Sequence, residues 1–474
     1  MKETTADPII ASGPVSRFLN RAPALVLIVY AAGAAFLTYF CMYAFRKPFA
    51  AATFDGQRFL NSDIELKTAL VISQIIGYTL SKYIGIKICS EMTPQKRPIA
   101  LILLIVWAES ALVLFGILPS NWKIVAILLN GLPLGMIWGL IVWYLEGRQS
   151  SEVLLASLSC SYIVSSGVVK DIGRAMLSGT IAGWWAKVPG VGPFISSHLQ
   201  NVSEGWMPAI VGLHFFPIFC LAVWALQQIP RPNAADLKAR GERAPMQGSQ
   251  RIAFLREFGL GLFLLCLSYF FLTAYRDFRD NYQVEIFSNL GYPYSENRTI
   301  ISKTETIVMF GVMCTLSLLS LFKDNRRGVM GAFGVMASGM ALLGLSTLLY
   351  DFGALSGFWW MTLVGLGSYL AYVPYGSVLF ERIIASTRFA GTAVFAISLA
   401  DAIGYTGSVG VQLYRDLAQP NLSRFGFFKG FTYFMSVLGL SCLIASCIYF
   451  LRKHPRGEKT GSEIKPLLKE LLNT

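Results

Sequence analysis

The stretch Tyr39-Phe-Cys-Met-Tyr43-Ala-Phe-Arg46-Lys47-Pro48 closes the first long apolar segment of the 474-residue chain with two adjacent cations. On a helix, spacings of four and three put the phenols of Tyr39 and Tyr43 and the guanidinium of Arg46 on one face. A guanidinium offers a planar fork of donors that fits a phosphate or carboxylate, and a neighbouring lysine adds a point charge. The chemistry open to this face is the holding of an anion. A charge within a membrane span costs about 3 kcal/mol on insertion scales, so each such residue is expected to have a task.

Other ionisable residues fall within apolar runs. Gln74, Tyr78 and Lys82 recur every four residues and form one polar helix face, with a lysine that could also snorkel to the membrane surface. Lys170 and Arg174 stand four apart and would repel unless a carboxylate or a bound anion lay between them; Asp171 could neutralise either one. Arg276, Asp277, Arg279 and Asp280 alternate in sign, as an internally neutral tie between helices or as a gate whose arginines meet substrate. Arg276 is the deeper of the two arginines and the favoured contact. Asp401, followed by Gly404, Gly407 and Gly410, reads as a counter-ion or a proton site. His214, Trp138, Trp143 and Trp224 read as packing or interface residues. Seven cations inside or at the ends of spans stand against Asp171, Asp277, Asp280 and Asp401, and such an excess calls for an anionic ligand during part of a working cycle.

The elements that must position these residues are membrane helices. The chain is 54% hydrophobic and 14% charged, with mean hydropathy +0.54, where a soluble protein carries about a quarter charged residues. The apolar blocks run to about 20 residues, enough for a helix to cross the hydrocarbon core and unlike the short alternating strands of a barrel. Twelve spans are predicted: 22–45, 67–88, 98–118, 123–145, 152–178, 206–228, 253–279, 302–322, 329–350, 358–380, 389–412 and 429–451. The fold class is an all-α membrane protein in two six-helix bundles. A cytoplasmic segment 1–21 precedes a bundle at 22–228, and a polar linker 229–252 leads to a second bundle at 253–451 and a tail at 452–474. Paired six-helix halves are a pattern of repeat-built transporters.

Of the lysines and arginines, 24 lie on one side of this topology and nine on the other. The positive-inside rule then puts both termini in the cytoplasm. The net charge of +13 is thereby topological, and no nucleic-acid partner is expected. The first 21 residues lack a cleavable signal pattern, so the first span is expected to remain as an anchor. Eight scattered cysteines and three scattered histidines offer neither a disulfide framework nor a metal site, and no cofactor is expected. No polar segment is long enough for a catalytic domain and no nucleophile–base constellation stands out, which argues against an enzyme. Ser462–Leu472 could lie on the membrane as a short amphipathic helix, and the 178–205 segment, with Trp184-Trp185, is long for a loop outside the bilayer.

At Tyr39 to Lys47 the chain resembles the organophosphate:phosphate antiporter family of the major facilitator superfamily, whose first helix ends in a tyrosine-rich stretch and Arg-Lys. Gly77-Tyr78-Thr-Leu-Ser81-Lys82-Tyr83 is similar to that family's second-helix motif, with Pro94 following, and Asn130-Gly131 through Gly135-Met136-Ile-Trp138 looks like its fourth-helix segment. The resemblance implies the major facilitator fold and alternating access, with an arginine from helix one and another from helix seven gripping a phosphate group. Arg46 fills the first role and Arg276 or Arg279 the second. Ser90-Glu91 replaces the usual Asp-Arg after helix two, and the family's fifth-helix histidine has no clear counterpart beside Lys170-Asp171 and Arg174.

The expected function is secondary active transport of an organic anion, a phosphorylated metabolite exchanged for inorganic phosphate. Arg46, Lys47, Tyr39, Tyr43, Lys82, Tyr78 and Arg276 or Arg279 would hold substrate, while Lys170, Asp171, Arg174, Asp277, Asp280 and Asp401 would gate or couple. The chain is expected to work as a monomer in a bacterial inner membrane. Two rivals are a proton-coupled carboxylate symporter and a transporter-like receptor for a phosphorylated ligand.

Overall fold

A computed structural model describes residues 13–453, apart from 61, 146, 147, 149, 233–247, 294, 295, 320, 321, 323, 388–392 and 420. Most of the predicted linker, the C-terminal tail with its proposed amphipathic helix, and the first twelve residues lie outside the described residues, as do the side chains of Ser90 and Glu91.

Twelve long helices follow in order: α1 (Ala24–Arg46), α2 (Leu66–Glu91), α3 (Arg97–Ile117), α4 (Lys123–Leu145), α5 (Ser151–Leu177), α6 (Met207–Gln227), α7 (Gly248–Asn281), α8 (Ile300–Leu319), α9 (Asn325–Asp351), α10 (Gly357–Pro374, continued through Tyr375–Leu379 to Thr387), α11 (Ala393–Ala418) and α12 (Arg424–Lys453). Over the described residues, ten of these helices are long and apolar enough to cross a membrane. The chain is thus a multi-pass membrane protein. α2 and α11 carry Lys82 and Asp401 and pack on one another across the centre of the molecule, so those charges meet protein and not lipid.

Two hydrophobic cores divide the chain, one built from the first six long helices and one from the last six. Between them α5 lies against α8 and α2 against α11, and a third, smaller cluster runs from Ile163 to Val308, Val312 and Tyr369. With little hydrophobic drive between helices in lipid, close approach depends on small residues. Gly77 of α2 and Gly131 of α4 face one another, and a Cβ on either would strike the other helix's backbone.

The helix ends depart from the predicted spans where charge begins. α7 starts at Gly248, inside the predicted linker, and α11 runs on to Ala418, six residues past its predicted end. Within α10, Pro374 supplies no backbone N–H, and the helix widens to a π turn at Tyr375–Leu379. The 178–205 segment forms two short helices, Thr180–Trp185 and Gly192–Leu199, packed on each other with Trp184 and Phe194 exposed.

Candidate functional site

Between the bundles lies a cavity of about 80 Å³, lined from α1, α2, α4, α5, α7, α10 and α11. Seven of its residues are tyrosines and three are cations, Arg46, Lys82 and Arg276, with Asp401 as its carboxylate. The side chain of Gln74 donates to the carbonyl of Arg46 (2.9 Å) and to Asn130 Oδ1 (3.0 Å), and Asn130 Nδ2 donates to the carbonyl of Phe45 (3.0 Å). These buried amides fix the last turn of α1 and thereby aim Arg46. Its guanidinium carbon sits 4.1 Å from the Tyr78 ring centroid and 5.6 Å from that of Tyr43. The residue is 5% exposed and its Nε has no hydrogen-bond partner. No carboxylate lies within ion-pair distance of it among the described residues. Across the cavity Arg276 stacks on Tyr372 at 4.5 Å and bonds Asp277 at 2.6 Å; Ser408 also donates to Asp277 at 3.0 Å.

The Arg46 end of the cavity is capped by a buried charge cluster that ties one bundle to the other. Asp280 of α7 receives Lys47 Nζ (2.5 Å), Lys170 Nζ (2.8 Å) and the hydroxyl of Ser166, all from the first bundle. Lys170 also donates to Gln283 Oε1 (2.7 Å) and Lys47 to Asn281 Oδ1 (2.9 Å). Asp171 accepts from the backbone N–H of Ser302 at 2.7 Å and from its hydroxyl. One layer further out, Lys67 pairs with Glu285, while Arg424 joins Glu285 (3.1 Å) to Glu65. Arg415 reaches Glu65 at 3.3 Å and Asp416 at 2.6 Å. The opposite end of the cavity, toward the face that carries α1's start and α12's end, is reached by solvent. There the side chains of Lys82 and Asp401 are 25% and 23% exposed, against 4% and 6% for Lys47 and Asp280.

Several expectations meet particular positions. Arg46, Tyr39, Tyr43, Tyr78, Lys82, Arg276 and Asp401 converge on one cavity. Arg279, the other helix-seven candidate, points elsewhere: it pairs with Glu305 (2.8 Å) and donates to the carbonyl of Met361 (2.9 Å), in room left by the missing Cβ of Gly365. Lys47 lies in the capping cluster with Lys170 and Asp280 and does not line the cavity. Lys82 does not snorkel to the surface, since it turns toward Asp401 and the Tyr78 ring. Lys170 is neutralised by Asp280 from the other bundle and not by its neighbour Asp171, because residues adjacent on a helix point to different sides.

The sequence count of acids missed Glu305 and Glu109, which lie within α8 and α3, just as the count of cations left out Lys67 and Lys303, which lie within α2 and α8. Glu305 falls near the start of its predicted span, where charge reads as loop; its place opposite Arg279 is set by Gly167, whose missing Cβ leaves space for the Glu305 stem. Gln283, which links Lys170 to Glu305 (2.6 Å), had no signal beyond its proximity to the Arg276–Asp280 run.

Residues 48–191 and 185–453 match the profile of a protein family described as a family of unknown function, DUF5690. The chain belongs to the DUF5690 family. No curated protein matches it. In three dimensions this DUF5690 chain is similar to a D-xylose–proton symporter, with TM-score 0.58 and 14% identity over 92% of this chain and 98% of that one. It is also similar to an inward-facing, unoccupied bacterial homologue of the human lysosomal transporter Spinster, with TM-score 0.59 and 13% identity over 94% and 100%. A nucleoside transporter aligns at TM-score 0.52 and 12% identity over 90% and 100%. At such identities the likeness concerns the fold, and the DUF5690 chain has the major facilitator fold. These comparisons do not show the organophosphate:phosphate antiporter family that the motifs of the first four helices resemble.

Proposed function

We propose that the DUF5690 chain is a secondary active transporter of a small organic anion, working by alternating access between its two bundles. The observation that carries this reading is Arg46, a buried guanidinium with no carboxylate partner among the described residues, held by Gln74 and Asn130 and aimed into a cavity between the halves. An unpaired buried charge is costly, and an anionic head group bridging Arg46 and Arg276 would offset that cost. Lys82 would raise the local potential, while Tyr39, Tyr43 and Tyr78 would donate hydrogen bonds. The charge clusters at Asp280 and Glu285 would hold one face shut while the other is open. Likeness to structures named as symporters and transporters supports transport over catalysis.

The motif resemblance supports a finer reading, in which the anion is a phosphorylated metabolite exchanged for inorganic phosphate. In this reading the chain acts as a monomer in a bacterial inner membrane with both termini cytoplasmic, so the solvent-reached end of the cavity faces the cytoplasm. A carboxylate carried with a proton is the second reading, favoured by the Asp401 carboxyl at that end of the cavity. The test is flux: purified protein in liposomes should exchange labelled phosphate or a sugar phosphate, and Arg46→Ala should abolish this. Full activity in Arg46→Ala, or neither flux nor binding of any phosphorylated or carboxylated metabolite, would overturn the proposal. Flux without any partner chain would set aside a receptor role.

A further inference from the structure

We infer that the transported anion carries a flat, hydroxyl-poor ring as its body, so that the substrate class is an aryl phosphate or aryl carboxylate and not a polyol anion. The inference rests on the anion-transport reading and names what is attached to the anionic head.

Half of the sixteen residues that line the cavity are aromatic, seven tyrosines and Trp138. Several of their rings meet in a continuous wall. Tyr39 meets Trp138 edge-on with centroids 5.0 Å apart, Trp138 meets Tyr162 at 6.0 Å, and Tyr162 meets Tyr372 at 6.4 Å. Tyr372 in turn stacks on Tyr269 at 5.2 Å. Such a wall favours flat apolar surface and supplies few hydrogen-bond acceptors. No Asn, Gln, Glu or His side chain lines the cavity among the described residues. Apart from the phenols, the side-chain acceptors are Ser159 and Asp401. Asp401 already receives the Tyr269 hydroxyl at 2.7 Å, with Lys82 Nζ 3.9 Å from its other oxygen. A glycerol or sugar body would bring several hydroxyl hydrogens against this wall, and each one left without an acceptor counts against binding. A ring without hydroxyls brings none.

The place for the ring is a shelf beside Arg276. Tyr372 and Gly376 stand four apart on α10, and Gly376 lies within the π turn and lines the cavity. The Arg276 guanidinium rests on the Tyr372 ring, so an anionic head on Arg276 has Gly376 about one turn away along α10. Gly376 is exposed, and a Cβ built on it would find no neighbouring atom within 4 Å. Val373, before Gly376 on the same helix, and Ile397 of α11 are the aliphatic lining residues. Ile397 stands four residues from Asp401, at the solvent-reached end. This part of the wall holds neither charge nor hydroxyl. A cavity of about 80 Å³ is small for head and ring together; a ring on the shelf extends into the open end while the head stays between the arginines. Gly376 thereby sets how large a body the chain accepts, because any side chain there would occupy the ring's place.

The test is thermal stabilisation of full-length protein against probe concentration. Phenyl phosphate is compared with glycerol phosphate and benzoate with glycerate, with inorganic phosphate and acetate as heads without a body. For whichever head binds, the ring probe should reach half-maximal stabilisation at about one-tenth the concentration its polyol counterpart needs. Gly376→Leu fills the shelf and should weaken the ring probe about tenfold relative to its bodiless head, and Gly376→Ala, which meets nothing within reach, should weaken it less. A polyol anion that binds as tightly as its ring counterpart, or that is carried when the ring anion is not bound, would overturn the ring assignment and leave the anion reading standing. So would Gly376→Leu protein that keeps the wild-type preference for the ring probe over its bodiless head. Absence of stabilisation by every probe, with no flux of any phosphorylated or carboxylated metabolite, would overturn the anion reading and the inference with it.

Discussion

The Asp280 cluster makes a quantitative prediction about which face of the molecule is closed. Asp280→Asn keeps the side-chain volume but removes the charge that neutralises Lys47 and Lys170, which lie 2.5 and 2.8 Å from its oxygens with almost no exposure. Removing one partner of a buried ion pair costs about 3–5 kcal/mol. That cost falls on the closed arrangement alone, because separation of the bundles would let both lysines be hydrated. At about 3 kcal/mol the ratio of closed to open falls by roughly 150-fold, so a hundredfold preference for closure becomes near parity. Spin labels at Asp55 and Asn289, exposed residues that line a surface cleft beside Glu65 and Glu285, would report the separation of the halves by pulsed electron resonance in a background without native cysteines. The wild type should give one short distance and the variant a second, longer population. An unchanged distance distribution would show that the Lys47–Asp280–Lys170 cluster does not hold this face shut.

Three other outcomes are expected. Arg46→Lys keeps the charge but loses the planar fork and much of the stacking on Tyr78; losing a charge-assisted hydrogen bond of about 1.5–3 kcal/mol should weaken anion affinity about 10- to 150-fold, measured by thermal shift against ligand concentration. Glu305→Gln leaves the Arg279 guanidinium buried without its counter-charge, so the melting temperature in detergent should fall by an amount reflecting about 3–5 kcal/mol, while anion affinity of the folded fraction stays near wild type. Gly131→Ala drives a Cβ into the α2 backbone at Gln74 and Tyr78, so the yield of monodisperse protein should drop sharply, whereas Gly183→Ala, where nothing lies within reach of the added carbon, should be neutral.

Much of the architecture could be read from apolar blocks separated by charge, because a bilayer enforces helix length and leaves backbone polar groups no alternative. Helix ends were less legible. Amphipathic ends such as Arg415-Asp416 on α11 look like loop in sequence yet continue the helix, since the salt bridges of Arg415 to Glu65 and Asp416 give those charges partners. The Tyr39–Tyr43–Arg46 face was legible because its residues share one helix.

By itself, then, the sequence determined the membrane class, the six-plus-six division and the presence of cations too costly to be idle. Only the tertiary structure decided which cations are spoken for. Arg276 and Arg279 sit three residues apart, within the same acidic run, and no local rule ranks them beyond depth. Packing does, because Gly365 opens a berth for Arg279 beside Glu305 while Tyr372 presents its face to Arg276 in the cavity. Lys47 and Lys170, 123 residues apart in the chain, share one carboxylate supplied by the other bundle. Pairings of that kind are set by how two helical bundles meet, and sequence spacing holds no record of it.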